Sequence, residues 1–205
     1  MRRTIQWTVV LLTLGVIFSG CETKTTNIDI DNDKGEAVMA LDYRDFQGAA
    51  TDMIESLLAS GAVDKKDGTR YVLVVSRIIN DTMQHVDTDQ LVKKIRVGLL
   101  QSGKVVVTTA VGIDGAEDKM SMKTREELRG NVEFDQKTVA GKGSMVAPDL
   151  SLSGKILQRN IRVDKKTQRV EYYFQMSLTD IKTGLAYWED ERIVAKRGSN
   201  KSVAW

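Results

Sequence analysis

Cysteine, histidine and proline occur once each in the 205 residues, as Cys21, His85 and Pro148. One thiol excludes an intrachain disulfide, so a folded body has to be held by its core. One imidazole means that a histidine-based metal site or a Ser-His-Asp triad would rest on His85 alone. It stands in Met83-Gln84-His85-Val86-Asp87-Thr88, just ahead of a helix cap, where a structural or surface role is expected. The sequence also lacks Ser-x-x-Lys and Gly-x-Ser-x-Gly, and Gly141-Lys142-Gly143-Ser144 has neither the spacing nor the preceding strand of a phosphate loop. Carboxylate pairs can be drawn at will among 28 acidic residues, and no pair is set apart by apolar surroundings. The chain therefore reads as a non-enzyme with no metal, no cofactor and no small-molecule substrate.

Long apolar runs are also scarce. Trp7 to Phe18 is largely apolar, follows Arg2-Arg3 and ends at Ser19-Gly20-Cys21. A membrane-spanning helix needs roughly 20 apolar residues, and this run is shorter. A charged start, an apolar stretch and small residues at its end are the three parts of an export signal. Phe18-Ser19-Gly20-Cys21 resembles a bacterial lipobox, with phenylalanine where leucine is usual. That resemblance implies removal of residues 1–20, acylation of Cys21 and, with Glu22 following, passage to the outer membrane. Several acyl chains, at about 0.8 kcal/mol per buried methylene, make a stable anchor. Excess charge is missing too. Without residues 1–20 the chain loses Arg2 and Arg3 and no acid, leaving 28 basic against 28 acidic side chains. No net positive field remains to attract nucleic acid.

What is present starts with a tether. Residues 22–41, which follow the lipid-acceptor Cys21, are mostly polar and carry little apolar periodicity; twenty such residues stretch to about 70 Å. Asp29, Asp31 and Asp33 alternate as in a calcium loop, but Lys34 and Ala40 stand where that loop needs glycine and a bidentate glutamate. A solvated acidic tether is the expected reading.

Residues 42–205 read as one globular α/β domain. Asp42 and Asp45 form a capping pair ahead of Tyr43, Phe46, Ala50, Met53 and Leu57, spaced for an amphipathic helix ending at Gly61. "RYVLVVSRI" (70–78) is a buried strand by its β-branched content. Asp87 and Gln90 suggest a second capping box, with Leu91, Val92, Ile95 and Leu99 as the buried stripe and Gly103 as the stop. "VVVTTAV" (105–111) reads as a strand, residues 114–130 as a polar helix, and 139–146 as a short helix weakened by Gly141 and Gly143. The C-terminal third turns to period two. Residues 150–163, 170–178 and 185–195 read as strands joined by turns at 164–167 and 180–184. The last residues, from Gly198, read as frayed. Together these give a mixed β-sheet with a C-terminal antiparallel three-stranded meander and helices packed on the sheet.

Two charged groups mark the meander. Lys155, Arg159, Arg162, Lys165, Lys166 and Arg169 put basic side chains on one hairpin, and Glu189-Asp190-Glu191 follow Trp188. A solvated face with cross-strand ion pairs is one reading. The other is a docking surface built from Arg159, Arg162, Lys165, Lys166, Arg169 and an exposed Trp188, since arginine and aromatics are favoured at interfaces.

The lipobox, "DYRDFQGAATDMIESLLAS" (42–60), "NDTMQHVDTDQLVKKIRVGLLQSGK" (80–104) and "LTDIKTGLAYWEDE" (178–191) together resemble the outer-membrane lipoprotein activators of penicillin-binding proteins, the LpoB family. The resemblance implies a non-catalytic protein, facing the periplasm, that binds a bifunctional penicillin-binding protein and stimulates cell-wall glycan polymerisation and cross-linking. Two features depart from the family. The tether is short and free of proline, and Ala147-Pro148-Asp149 replaces Gly-Ala-Asp, so the third strand should begin after Pro148. No contact residue of the family maps cleanly onto this chain. A structural or secretion-linked envelope lipoprotein with an oligomerising domain is the alternative, and a hydrolase using His85 or a carboxylate pair is a third.

Overall fold

The computed structural model describes residues 27–29, 35 and 37–202. The expected signal segment 1–20 and Cys21 lie outside the described residues, as does most of 22–36.

Residues from Ala37 onward form a compact unit. Among the described residues its elements are α1 (Tyr43–Ala59), β1 (Tyr71–Asp81), α2 (Asp89–Gln101), β2 (Val105–Val107), α3 (Lys119–Leu128), β3 (Leu150–Arg162), β4 (Thr167–Asp180) and β5 (Ala186–Ser199). The sheet order is β2-β1-β3-β4-β5. β1 runs parallel to β2 and to β3, whereas β3, β4 and β5 form an antiparallel meander. This is the mixed α/β architecture expected from the change of period along the chain.

The helical repeat and the strand repeat meet in one core. Phe46, Ala49, Ala50, Met53 and Leu57 of α1 and Leu91, Ile95 and Leu99 of α2 are buried. They share a cluster with Leu73, Leu152, Ile156 and the alternate residues Val170, Tyr172, Phe174, Met176 and Leu178 of β4. Phe46 meets Phe174 edge to face, with ring centroids 5.9 Å apart. The helices thus cover one face of the sheet, and the odd-numbered residues of β4 and β5 point to the other.

Asp42 caps α1 with a complete capping box, accepting the Arg44 and Asp45 amides while the Asp45 carboxylate accepts the Asp42 amide. The second expected box does not form. Thr88 occupies the cap position of α2 with no side-chain bond, and Asp87 instead accepts the Asp89 amide at 2.9 Å in a local turn. β2 stops at Val107, short of the expected Val111: its pairing with β1 ends at Leu73–Val107 although β1 runs on to Asp81, and the Thr109 carbonyl accepts the Glu117 amide at 2.9 Å instead of joining a ladder. Strand propensity does not hold a segment in a sheet when the chain makes other backbone bonds.

The polar helix begins at Lys119 under an Asp118 cap, and Asp114 pairs with Arg77 instead of starting it. Residues 139–146 are turns, not a helix; Gly143 has φ +76°. Here Arg129 Nε donates to the Ala140 carbonyl at 3.2 Å and Arg125 to the Ser144 hydroxyl at 2.7 Å. Side chains from the last turn of α3 and its C-terminal cap, Arg125 and Arg129, therefore bind a segment that makes no helix of its own. β3 does begin directly after Pro148-Asp149, and Asp149 ties its start to β1 by accepting the Val72 amide at 2.9 Å. β5 extends to Ser199, so the chain is not frayed at Gly198; that glycine lies against Met39, where a Cβ would sit 2.6 Å from the sulfur.

Candidate functional site

The meander is the part of the fold on which the expected docking residues lie. Its register sorts them. Arg159 pairs with Glu171, Arg162 with Gln168, and Arg169 with Ile161, while Lys165 and Lys166 lie in the connecting turn. All five basic side chains therefore gather at one end of the β3–β4 hairpin. Arg159 and Arg169 project from the face opposite the helices, whereas Arg162 is on the helix side at its exposed end. Asp164 orders the turn by accepting the Lys166 and Thr167 amides at 2.6 and 2.8 Å, and these bonds hold its carboxyl below the usual carboxylate range.

Trp188 does not join this group. It is 9% exposed, sits opposite Leu178, and its indole N–H donates to the Ser56 hydroxyl of α1 at 3.3 Å. From Leu178 to Gln168 is ten residues of β4, roughly 33 Å at ~3.3 Å per residue. The expectation of an exposed tryptophan beside the basic residues is corrected: the period-two count puts Trp188 on the helix-covered face at the other end. Lys155 is also elsewhere, paired with Asp81 at 2.8 Å.

Nor do the acidic residues of β5 neutralise the basic ones. Glu189 accepts the Ser177 hydroxyl at 2.9 Å and Glu191 the Gln175 amide at 2.7 Å, both towards the Trp188 end of the sheet. Arg169 turns to its neighbour Glu171 at 2.8 Å, and across the strand from it stands Arg197. The uncovered face thus has an acidic end and a basic end, with Tyr173 and Ile193 opposite each other between them.

Behind this sheet lies a buried polar latch that residue patterning does not reveal. The Tyr172 hydroxyl donates to the Met39 carbonyl at 3.0 Å and accepts from the Gln84 side-chain amide. The Gln84 carbonyl oxygen accepts the Leu41 amide at 3.1 Å. Lys196 completes it, donating to the Ala40 carbonyl at 2.7 Å and pairing with Asp45 at 2.5 Å. Residues 39–41, assigned to the tether on composition, are therefore fastened to the body. Burial pushes the Tyr172 hydroxyl up to about 12, the Gln84 bond opposing and Asp45 adding to it. For Asp42 burial raises the carboxyl, but Arg44, the Asp45 amide and Lys196 together draw it below its ordinary value. The one clue lay in Asn80-Asp81-Thr82, a polar cluster at a strand end whose amides and hydroxyls fix the Gln84 backbone.

His85 is exposed, and among the described residues no three His, Cys, Asp or Glu side chains form a metal-binding group. A groove of about 460 Å³ beside α2 is crossed by the ion pairs Arg77–Asp114 and Arg96–Glu117, and Asp89, Lys93 and Lys119 also line it.

Comparison with known proteins gives one family. The model of the peptidoglycan-synthase activator LpoB matches residues 45–194. Among solved structures, the LpoB C-terminal domain from Escherichia coli has a TM-score of 0.45 at 20% identity, covering 74% of this chain and 99% of that one. The same domain from Salmonella enterica gives 0.43 at 18%, covering 73% and 98%. The PelC dodecamer from Paraburkholderia phytofirmans gives 0.30 at 18%, covering 65% and 75%. No curated protein sequence matches.

Proposed function

Because the chain belongs to the family of the peptidoglycan-synthase activator LpoB, we propose that its globular unit binds a bifunctional penicillin-binding protein and stimulates glycan polymerisation and peptide cross-linking without catalysing either. The observation that carries this reading is the extent of the family match, which runs from the first turn of α1 to the middle of β5. Activation then has one physical source. The activator binds the working conformation of the synthase more tightly than the idle one, and only that difference shifts the population.

Acylated Cys21 holds the protein at the outer membrane, facing the periplasm. The short tether requires a partner anchored in the inner membrane to reach towards it. The docking surface in this reading is the basic end of the β3–β4 hairpin, with Arg159, Arg162, Lys165, Lys166 and Arg169 and without Trp188. Clustered, solvent-facing arginine and lysine favour an acidic patch on the partner and speed its capture.

The test is a pull-down from detergent-solubilised envelope followed by a glycan-polymerisation assay with the captured synthase. Capture of a penicillin-binding protein and faster polymerisation are expected. Self-association with no effect on synthesis would overturn the reading. Reversing Arg159 and Arg162 to glutamate should weaken capture at least tenfold while the unfolding curve stays in place, as suits exposed charges; unchanged capture would reject this face.

A further inference from the structure

The body meets its tether at the basic end of the meander. The Met39 sulfur lies against Gly198, which pairs with Gln168, the neighbour of Arg169 on β4. Tyr172 and Lys196 hold the Met39 and Ala40 carbonyls there. Asn200 closes the same end, its backbone amide donating to the Lys166 carbonyl and its side chain to the Lys165 carbonyl. A chain leading from Cys21 therefore reaches the body beside the β3–β4 turn, while Glu189 and Glu191 stand at the far end of the same strands.

That end stays basic once its internal pairs are set aside. Arg169 is bound to Glu171, and Asp42 and Asp45 behind the sheet belong to Lys196. The Asp164 carboxylate is taken up by the Lys166 and Thr167 amides. Arg159, Arg162, Lys165, Lys166, Arg197 and Lys201 are exposed and form no ion pair among the described residues. Among them, at the tip of the hairpin, stands Val163, an apolar side chain 47% exposed.

We propose that this end seats on a bilayer surface of anionic phospholipid headgroups, with Val163 entering the headgroup layer and the acidic end of the sheet directed away from the membrane. Charge alone would serve an acidic protein equally, and the place of the tether selects the lipid. Residues 21–38 span at most about 65 Å, and their attachment beside the tip makes contact with the anchoring leaflet an intramolecular event. Each basic residue near an anionic surface is worth roughly fivefold in affinity. An apolar tip ringed by lysine and arginine suits the boundary between headgroups and acyl chains. Joined at the acidic end, the same tether would set carboxylates against the headgroup phosphates.

The inference rests on the reading of Cys21 as the acylated anchor. It also adds a step to the proposed function, because headgroups and an acidic patch on the synthase compete for Arg159, Arg162, Lys165 and Lys166.

The experiment is flotation of residues 21–205 carrying Cys21→Ser, which has no acyl chain, on vesicles of mixed phosphatidylglycerol and phosphatidylcholine and on phosphatidylcholine alone. Binding to the mixed vesicles only is expected, with release at ~1 M salt, where the screening length falls to about 3 Å. Lys165→Glu with Lys166→Glu should lower binding at least tenfold, and so should Arg197→Glu with Lys201→Glu, a pair outside the surface given to the synthase. Val163→Cys labelled with an environment-sensitive fluorophore should shift to the blue on the mixed vesicles, and Glu189→Cys labelled in the same way should not. No flotation, equal flotation on phosphatidylcholine alone, undiminished binding of either charge-reversed pair, a response at position 189 instead of 163, or binding to purified cell-wall glycan in place of vesicles would each overturn the inference. No synthase is present in this assay, so its failure leaves the capture experiment to decide the proposed function by itself. The substituted residues are exposed, and a circular dichroism spectrum confirms that each variant is folded.

Discussion

The Tyr172 hydroxyl joins three stretches of chain that are distant in sequence, through Met39, Gln84 and its own strand. Replacing it by phenylalanine strands a buried amide and a carbonyl, so Tyr172→Phe should cost about 1–3 kcal/mol in urea unfolding at neutral pH. The same group sets an alkaline limit. Its folded value of about 12 stands above the ordinary 10.0, so the protonated phenol stabilises the fold fully below pH 10 and progressively less as pH climbs towards 12. Stability measured across that window should fall in the native chain and fall less in Tyr172→Phe. Asp42 works with the opposite sign. Its carboxyl is held below the ordinary 3.8, so its contribution is present above that pH and is lost as pH drops through the folded value. Asp42→Asn should flatten the acid limb of the stability curve, and an unchanged limb would remove Asp42 from the account.

Among elements, two glycines give opposite expectations from similar crowding. A Cβ on Gly154 of β3 would sit 2.9 Å from the Gln175 carbonyl of β4, which the ladder holds in place. Gly154→Ala should therefore destabilise by about 1–3 kcal/mol, the usual penalty for overpacking. A Cβ on Gly98 of α2 meets only the side chain of Ile54, with its terminal methyl nearest at 2.6 Å, and that methyl can rotate away. Alanine also gains about 1 kcal/mol over glycine inside a helix. Gly98→Ala should be close to neutral, and thermal melting of the two variants side by side checks the ranking. The same logic explains α1 and α2: one stripe of each is buried and the rest is polar, so packing sets their faces while Asp42 sets where the first begins.

At the scale of the molecule, the fastening of residues 39–41 decides where the body starts. A chain beginning at Ala37 should unfold at the same urea concentration as the full protein. One beginning at Asp42 loses the bonds to Ala40, Met39 and Leu41 and should be less stable by about 2–3 kcal/mol, near 1 kcal/mol for each. Anchoring is tested separately: Cys21→Ser should move the protein from the membrane pellet to the soluble fraction, and its retention in the pellet would reject lipidation.

Local pattern was enough to read most elements from residues. Period two over Val170–Leu178 and the three-and-four spacing of Phe46–Leu57 are properties of neighbours along the chain, and they survive in the fold. The failures share a cause. The strand propensity of "VVVTTAV" could not reveal that the chain leaves β1 after Val107 and that Thr109 binds the Glu117 amide, and Asp87 had a nearer amide to bind than the one a capping box requires. Within the candidate site the basic residues of the hairpin were visible as charges, but their gathering at one end depends on strand register.

By itself the sequence determined the α/β class, the meander, the lone thiol in a lipobox-like setting and the near balance of charge, because each is written in composition or in spacing along one segment. Only the tertiary structure decided that Trp188 is covered by α1, that Arg197 faces Arg169, that Met39–Leu41 belong to the body, and that β5 is an edge. Those facts depend on which strands become neighbours and which face the helices take, and long-range packing fixes both.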